Sequence, residues 1–130
     1  MSAPDLEAVL AWHEALNAGD AERLAALSHP DVELGGPRGP AMGRQVLKDW
    51  VGRANIRLEP LRSFRGGRTV VVEEEATWRD ADTGEKTGGA TVATVFRVRD
   101  GLVAAVVRHD DLEDALRAAG LEESDRVGQG

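Results

Sequence analysis

Along the first part of the chain apolar residues return every three or four positions, and along the second half they alternate with polar ones. Leu6, Val9, Leu10, His13 and Leu16 share one side of a helix that starts after Pro4-Asp5 and stops at Asn17-Ala18-Gly19. Asp20 has the chemistry of an N-cap for a second, short helix, whose apolar side is Leu24, Ala25 and Leu27; His29-Pro30 stops it. Asp31 to Leu34 predicts a brief strand. The stretch Gly35-Gly36-Pro37-Arg38-Gly39-Pro40 cannot continue it, because it mixes turn-permissive glycine with donor-less proline. From Gly43 the helical spacing returns in Val46, Leu47, Trp50 and Val51, and the helix ends between Gly52 and Asn55.

The second half predicts strands. Ile56 to Phe64 is the first, with Pro60 marking an edge or a bulge, and Gly66-Gly67 is a hairpin signal. Thr69 to Trp78 follows, rich in β-branched residues, then the Asp82-Thr83-Gly84 turn and a strand from Thr91 to Val98. Asp100-Gly101 predicts a tight hairpin into a last strand, Leu102 to Val107. Asp111 then caps a final helix carrying Leu112, Ala115, Leu116 and Leu121. Residues 1–3 and 124–130 are expected to be flexible ends. Helices gather early and an antiparallel meander follows, which is an α+β pattern filling one domain over residues 1–130.

Composition narrows the chemistry. With 42% hydrophobic residues the chain can bury one core, and it contains no tyrosine and no cysteine. Disulfides, thiolate metal sites, thiol nucleophiles and phenolic acids are therefore excluded. Acid–base work falls to carboxylates, to His13, His29 and His109, or to an arginine acting as a fixed charge. The net charge of -7 repels phosphate backbones, and the arginines are scattered, so no nucleic-acid partner is expected. The N-terminus lacks a basic start and an apolar signal core, and no apolar run approaches the ~20 residues that span a bilayer. A cytoplasmic protein with no membrane partner is the expectation. Neither ligand spacing for a metal nor a P-loop, dinucleotide fingerprint or nucleophile elbow is present, so no metal or cofactor is expected.

Glu74 is the sharpest candidate. Alternation puts Val70, Val72, Glu74, Ala76 and Trp78 on one strand face, with Val71, Glu73, Glu75 and Thr77 on the other. A lone carboxylate among valine, alanine and tryptophan is desolvated and suited to proton transfer; the bland alternative is a solvated Glu73-Glu74-Glu75 run. His13 lies inside an apolar helical stripe, either as a hydrogen-bonded core residue or as an imidazole placed to shuttle a proton. Trp12, Trp50 and Trp78 are either core or the walls of a cavity for a flat apolar or aromatic ligand. Thr94 and Asp110 complete the ligand-binding candidates, Asp110 at the mouth of such a cavity.

The order of these elements resembles the nuclear transport factor 2-like superfamily over about residues 4 to 121. The resemblance rests on the Asn17-Ala18-Gly19-Asp20 corner, Pro30-Asp31-Val32, the Gly/Pro loop, Gly43 at the start of the third helix, and the run from Asp100-Gly101 into Arg108-His109-Asp110-Asp111. It implies a cone: a curved antiparallel sheet wrapped around N-terminal helices, with a C-terminal helix, a helix-covered cavity and a homodimer formed through the open sheet face. Relatives include ketosteroid isomerases, limonene-epoxide hydrolases and SnoaL-like cyclases. Trp12 stands where the isomerases carry a tyrosine, and Gly35 where they carry the general base. The hydrolase triad falls on Glu74, Ala76 and Arg108, so neither machinery is matched, but a charged pair of reversed polarity, Glu74 with Arg108, is implied. Arg108 then holds Glu74 ionised or clamps a substrate oxygen, and His109 points to the opposite face. Two functions follow: a small-molecule-binding protein performing cofactor-free acid–base chemistry on an apolar substrate, or a non-catalytic dimerising module with a filled interior.

Overall fold

The computed structural model describes residues 4–35, 41–54, 56–80 and 82–127, with the backbone alone for residues 4 and 50–54. Its elements are α1 Pro4–Asn17, α2 Ala21–Ala26, β1 Ser28–Gly35, β2 Ala41–Met42, α3 Arg44–Ala54, β3 Ile56–Gly66, β4 Thr69–Arg79, β5 Lys86–Arg99, β6 Leu102–His109 and α4 Leu112–Ala119. Most of the Gly/Pro loop (36–40) and the outermost ends (1–3 and 128–130) lie outside the described residues.

Local chemistry closes the helices. At the end of α1, Gly19 takes φ +69, Asp20 N–H reaches back to Ala15 O at 3.0 Å, and Gly19 N–H bonds Leu16 O at 3.0 Å. That pair of bonds satisfies carbonyls left free by the helix end, and only glycine adopts the turn cheaply. Asp20 caps α2 through Arg23 N–H, as Asp111 caps α4 through Asp114 N–H. The final helix, expected to include Leu121, ends earlier: Gly120, at φ 72, closes α4 with the same two-bond pattern, made by Leu121 N–H to Leu116 O and Gly120 N–H to Arg117 O. Asp100 and Gly101 both have positive φ, the twist that a two-residue hairpin needs.

The strands form one curved, unclosed six-stranded sheet in the order β2-β1-β6-β5-β4-β3. All neighbours are antiparallel except β1 and β6, which run parallel. β1 starts earlier than expected, at Ser28, and tolerates Pro30 because its ladder with β6 is interrupted between Ser28 and Glu33. β5 starts at Lys86 rather than Thr91, because pairing of Trp78 with Gly88 and Thr77 with Gly89 holds two weak strand formers in the ladder.

Pro60 sits on the edge strand and is followed by a bulge as well. Leu58 pairs with Ala76, whereas Phe64 pairs with Val71, so the register shift between Pro60 and Arg62 turns Phe64 to the other face of the sheet. The two faces therefore have separate cores. On the concave face Val9, Trp12, Leu16, Leu24, Leu47, Leu58, Val72, Val92 and Phe96 are buried under the first three helices. On the outer face Phe64, Val71, Ala93 and Val95 are buried against Ala115 and Leu116 of α4. That face was expected to stand open; α4 covers its apolar centre.

Residues 124–127, placed by the sequence in a frayed tail, include the end of a 3₁₀ turn at Glu123–Asp125 and then bond to the β3 edge. Arg126 bridges Phe64, and Val127 N–H donates to Ser63 O at 2.8 Å. Beside them Arg62 grips Glu73 with two N–H···O bonds of 2.7 and 3.0 Å. The hydrogen bond from Arg62 holds the Glu73 carboxyl below its ordinary range, with the Arg62 and Arg126 charges adding to it.

Two predictions follow from this packing. Leu116→Ala is expected to lower the free energy of urea unfolding by about 2–5 kcal/mol, whereas the exposed Leu10→Ala should change it by less than about 0.5 kcal/mol. Because Glu73 is held below its unfolded value, its ion pair stabilises the fold above that value and loses the contribution as pH falls through the folded one. The stability gap between wild type and Glu73→Gln, on the order of 1 kcal/mol at neutral pH, should close in titrations carried from pH ~6 to ~2.

Candidate functional site

Two polar side chains, each alone in an apolar stripe, meet at the centre of the concave core. His13 projects from the middle of α1 and Glu74 from the middle of β4, and they are 1% and 0% exposed. Buried polar groups must find partners, and these two find each other: His13 Nε2 is hydrogen-bonded to Glu74 Oε2. The other carboxylate oxygen, Oε1, accepts the hydroxyl of Thr94 at 2.6 Å. The other ring nitrogen, Nδ1, lies 2.8 Å from Val9 O, one helical turn back.

This last contact settles the imidazole. A carbonyl can only accept, so Nδ1 carries a proton, and Nε2 and Oε2 share one more proton between them. Whether that proton rests on nitrogen or oxygen, the pair has no net charge, and this is what lets two ionisable groups sit fully buried. Phe96 packs against the histidine at 5.1 Å between ring centroids, and Trp12 stands edge-on to both rings.

Surrounding bonds fix the helix that carries His13. The Asn17 side chain exchanges two 2.8 Å hydrogen bonds with the backbone of Leu58, so the end of α1 is tied to β3 as a strand neighbour would be. Trp12 Nε1–H donates to Ser28 Oγ at 3.1 Å, and that hydroxyl donates to Leu24 O at 2.8 Å. Arg44 closes the same corner with 2.9 and 2.7 Å bonds to Ser28 O. Every buried side-chain polar atom among the described residues has a hydrogen-bond partner.

The candidate residues divide accordingly. Glu74, His13 and Thr94 come together, and Trp12 is a core residue beside them. Arg108 lies on the concave face as the cross-strand partner of Thr94, but β5 separates it from Glu74 and no ion pair joins the two. The implied charged pair is therefore replaced by Glu74 with His13, because the helix brings the imidazole directly onto the strand. His109 pairs with Ala93 and faces outward. Trp78 lines the concave face, half-buried, while Asp110 is exposed beyond the end of β6. The side chain of Trp50 lies outside the described residues. Ser28 was missed, and nothing marks it in the sequence. The pairing of His13 with Glu74 was missed too, although two isolated polar residues on two buried faces were its signal.

Among the described residues no three acidic or histidine side chains are grouped to hold a metal ion, and no helix is long and apolar enough to cross a membrane.

Comparison with known proteins gives a consistent picture. The profile of the SnoaL-like domain matches residues 9–106. No curated protein matches the sequence. Among solved structures, a nuclear transport factor 2-like protein of unknown function from Cytophaga hutchinsonii superposes with a TM-score of 0.72 at 13% identity, covering 92% of this chain and 97% of that one. TerC, crystallised with polyporic acid, gives 0.72 at 22% identity, covering 89% and 97%. An epoxide hydrolase of the limonene-epoxide hydrolase type from M. tuberculosis gives 0.72 at 20% identity, covering 88% and 87%. At these identities the likeness is one of fold.

The site makes one stability prediction. Thr94→Val should cost about 1.5–3 kcal/mol by removing a hydroxyl donor from a buried carboxyl, and Glu74→Ala about 3–5 kcal/mol by leaving His13 unpaired. Equilibrium urea unfolding of both variants measures this, and a loss below about 0.5 kcal/mol for Glu74→Ala would mean the pair is not buried as described.

Proposed function

The chain belongs to the SnoaL-like domain family, and from that premise we propose that it binds a small apolar molecule on the concave side of its sheet and moves a proton on it with the Glu74–His13 pair. The carrying observation is that one carboxyl group, held by an imidazole and a hydroxyl, lies in an otherwise apolar interior. Stability does not call for such a group, since an apolar replacement of similar volume would serve the core as well or better. Relatives of the same fold bear the names epoxide hydrolase and polyketide cyclase, and one was crystallised with a small organic ligand.

The proton arithmetic works from either starting state. A substrate C–H or O–H that displaces the Thr94 hydroxyl meets Glu74 Oε1. As that oxygen takes the proton, the one shared at Oε2 resides on His13 Nε2. Glu74 ends neutral, His13 ends as an imidazolium, and the substrate carries the negative charge. The positive ring then faces the developing anion across a desolvated carboxyl, which stabilises it electrostatically. Return of the proton to a different substrate atom completes an isomerisation; its delivery to a leaving oxygen completes a dehydration or ring opening.

A second reading has its own support. Glu74 and His13 are almost fully shielded, and both are satisfied within the protein. A non-catalytic binding module whose interior is filled by its own side chains would look the same.

A thermal-shift screen of apolar and aromatic metabolites separates the two. Ligand at ~100 times its dissociation constant adds about 2.7 kcal/mol of stability. Hits are expected with wild type, and Glu74→Gln should keep binding them while turnover falls by about 10²-fold or more. Silence across a broad library would select the filled module, and unchanged turnover in Glu74→Gln would remove that residue from the chemistry.

A further inference from the structure

A sheet that does not close has two edges, and each offers unpaired N–H and C=O groups to any extended strand. One edge here is β2, only two residues long. The other is β3, eleven residues long, and it is closed piece by piece. Leu58 points its N–H and C=O away from β4, and the Asn17 side chain takes both at 2.8 Å. Two residues on, Pro60 has no N–H to offer, and the bulge before Arg62 breaks the regular edge. Beyond the bulge, Ser63 C=O accepts Val127 N–H at 2.8 Å, and Arg126 lies opposite Phe64 as a strand neighbour would.

Residues 121–127 are shaped for that contact. Leu121, just past the end of α4, packs on the outer core, and its Cδ2 lies 2.5 Å from where a Cβ on Gly66 would stand. Only a glycine leaves that space to the leucine. The 3₁₀ turn that follows is held by Glu122 N–H donating to Asp125 Oδ2 at 2.8 Å and Asp125 N–H donating to Glu122 O at 2.9 Å. Charge adds a third hold, since the Glu123 carboxylate acts on Arg62 and the Arg126 guanidinium on Glu73. The closures at Leu58 and Pro60 belong to α1 and β3 themselves. Residues 121–127 instead follow the last helix, and they cover Ser63 to Gly66 beside Leu61, which is 51% exposed.

We propose that residues 121–127 are a strap guarding the edge of β3, and that its release lets a second copy of this chain pair its own β3 there. Antiparallel pairing of one strand with its own copy is self-complementary, so it closes into a symmetric pair instead of growing into a fibre. The exposed Leu61 adjoins the freed stretch and gives that pairing an apolar contact to bury. The proposal involves neither Glu74 nor His13 and stands apart from the small-molecule reading.

The full chain carrying Leu121→Ser and Val127→Pro tests it, since one change removes the anchor and the other the N–H donor to Ser63. Release is read by trypsin, which is expected to cut after Arg126 at least about tenfold faster than in wild type. Sedimentation velocity from ~5 to ~500 μM should then show the double variant gaining mass with concentration while wild type holds one state. Adding Leu61→Lys, a charge on the edge, should return the variant to wild-type behaviour without slowing the cleavage. Unchanged cleavage would mean that these contacts do not hold the strap and overturns the proposal. So does a released strap with no gain in mass, or a gain that Leu61→Lys leaves intact, which would place the association on another surface.

Discussion

The hydrogen bond between His13 and Glu74 joins residues 61 positions apart and pins the first helix to the middle of the sheet. Burying either group alone would cost several kcal/mol, so each needs the other in place before the core can close. Together with the Asn17–Leu58 exchange one turn further on, it fixes α1 at two points and thereby fixes its rotation. With that rotation set, Val9, Trp12 and Leu16 can only face the sheet, and Trp12 reaches Ser28. The order of the concave core thus depends on one shared proton.

The outer face is organised differently. Among the described residues nothing ionisable is buried there; Phe64, Val71, Ala93 and Val95 meet a single short helix, and the Arg62–Glu73 pair lies at the margin where water still reaches it. The bulge after Pro60 is what allows both cores. It reverses the parity of β3, so that one strand contributes Leu58 to the inner face and Phe64 to the outer one. An edge strand with a proline can make this change without losing a ladder bond that a central strand would need.

Packing also changes along β4 and β5. Where the strands pass under the helices their inward residues are large and closed over: Val72, Glu74, Val92, Thr94 and Phe96. Further along they shrink to Ala76, still fully buried, and then to the less covered Ala90 and Gly88, with Trp78 providing bulk. Arg108 stands at the inner end of this gradient and Glu74 within it.

What the sequence determined by itself is what short-range physics controls. The helix end at Gly19, caps at Asp20 and Asp111, the Asp100-Gly101 hairpin and the inward side of β4 all follow from torsional preference, capping and alternation over a few residues. The cone-shaped α+β architecture was legible because these signals come in a distinctive order. The tertiary structure alone decided how distant pieces pair. It chose His13 over Arg108 as the partner of Glu74, extended β5 back through two glycines because β4 was there to hold them, and laid α4 over a face that alternation had left open. Such choices turn on which elements are adjacent and in what register. A one-residue shift reverses a strand's faces without changing the local pattern from which it is read.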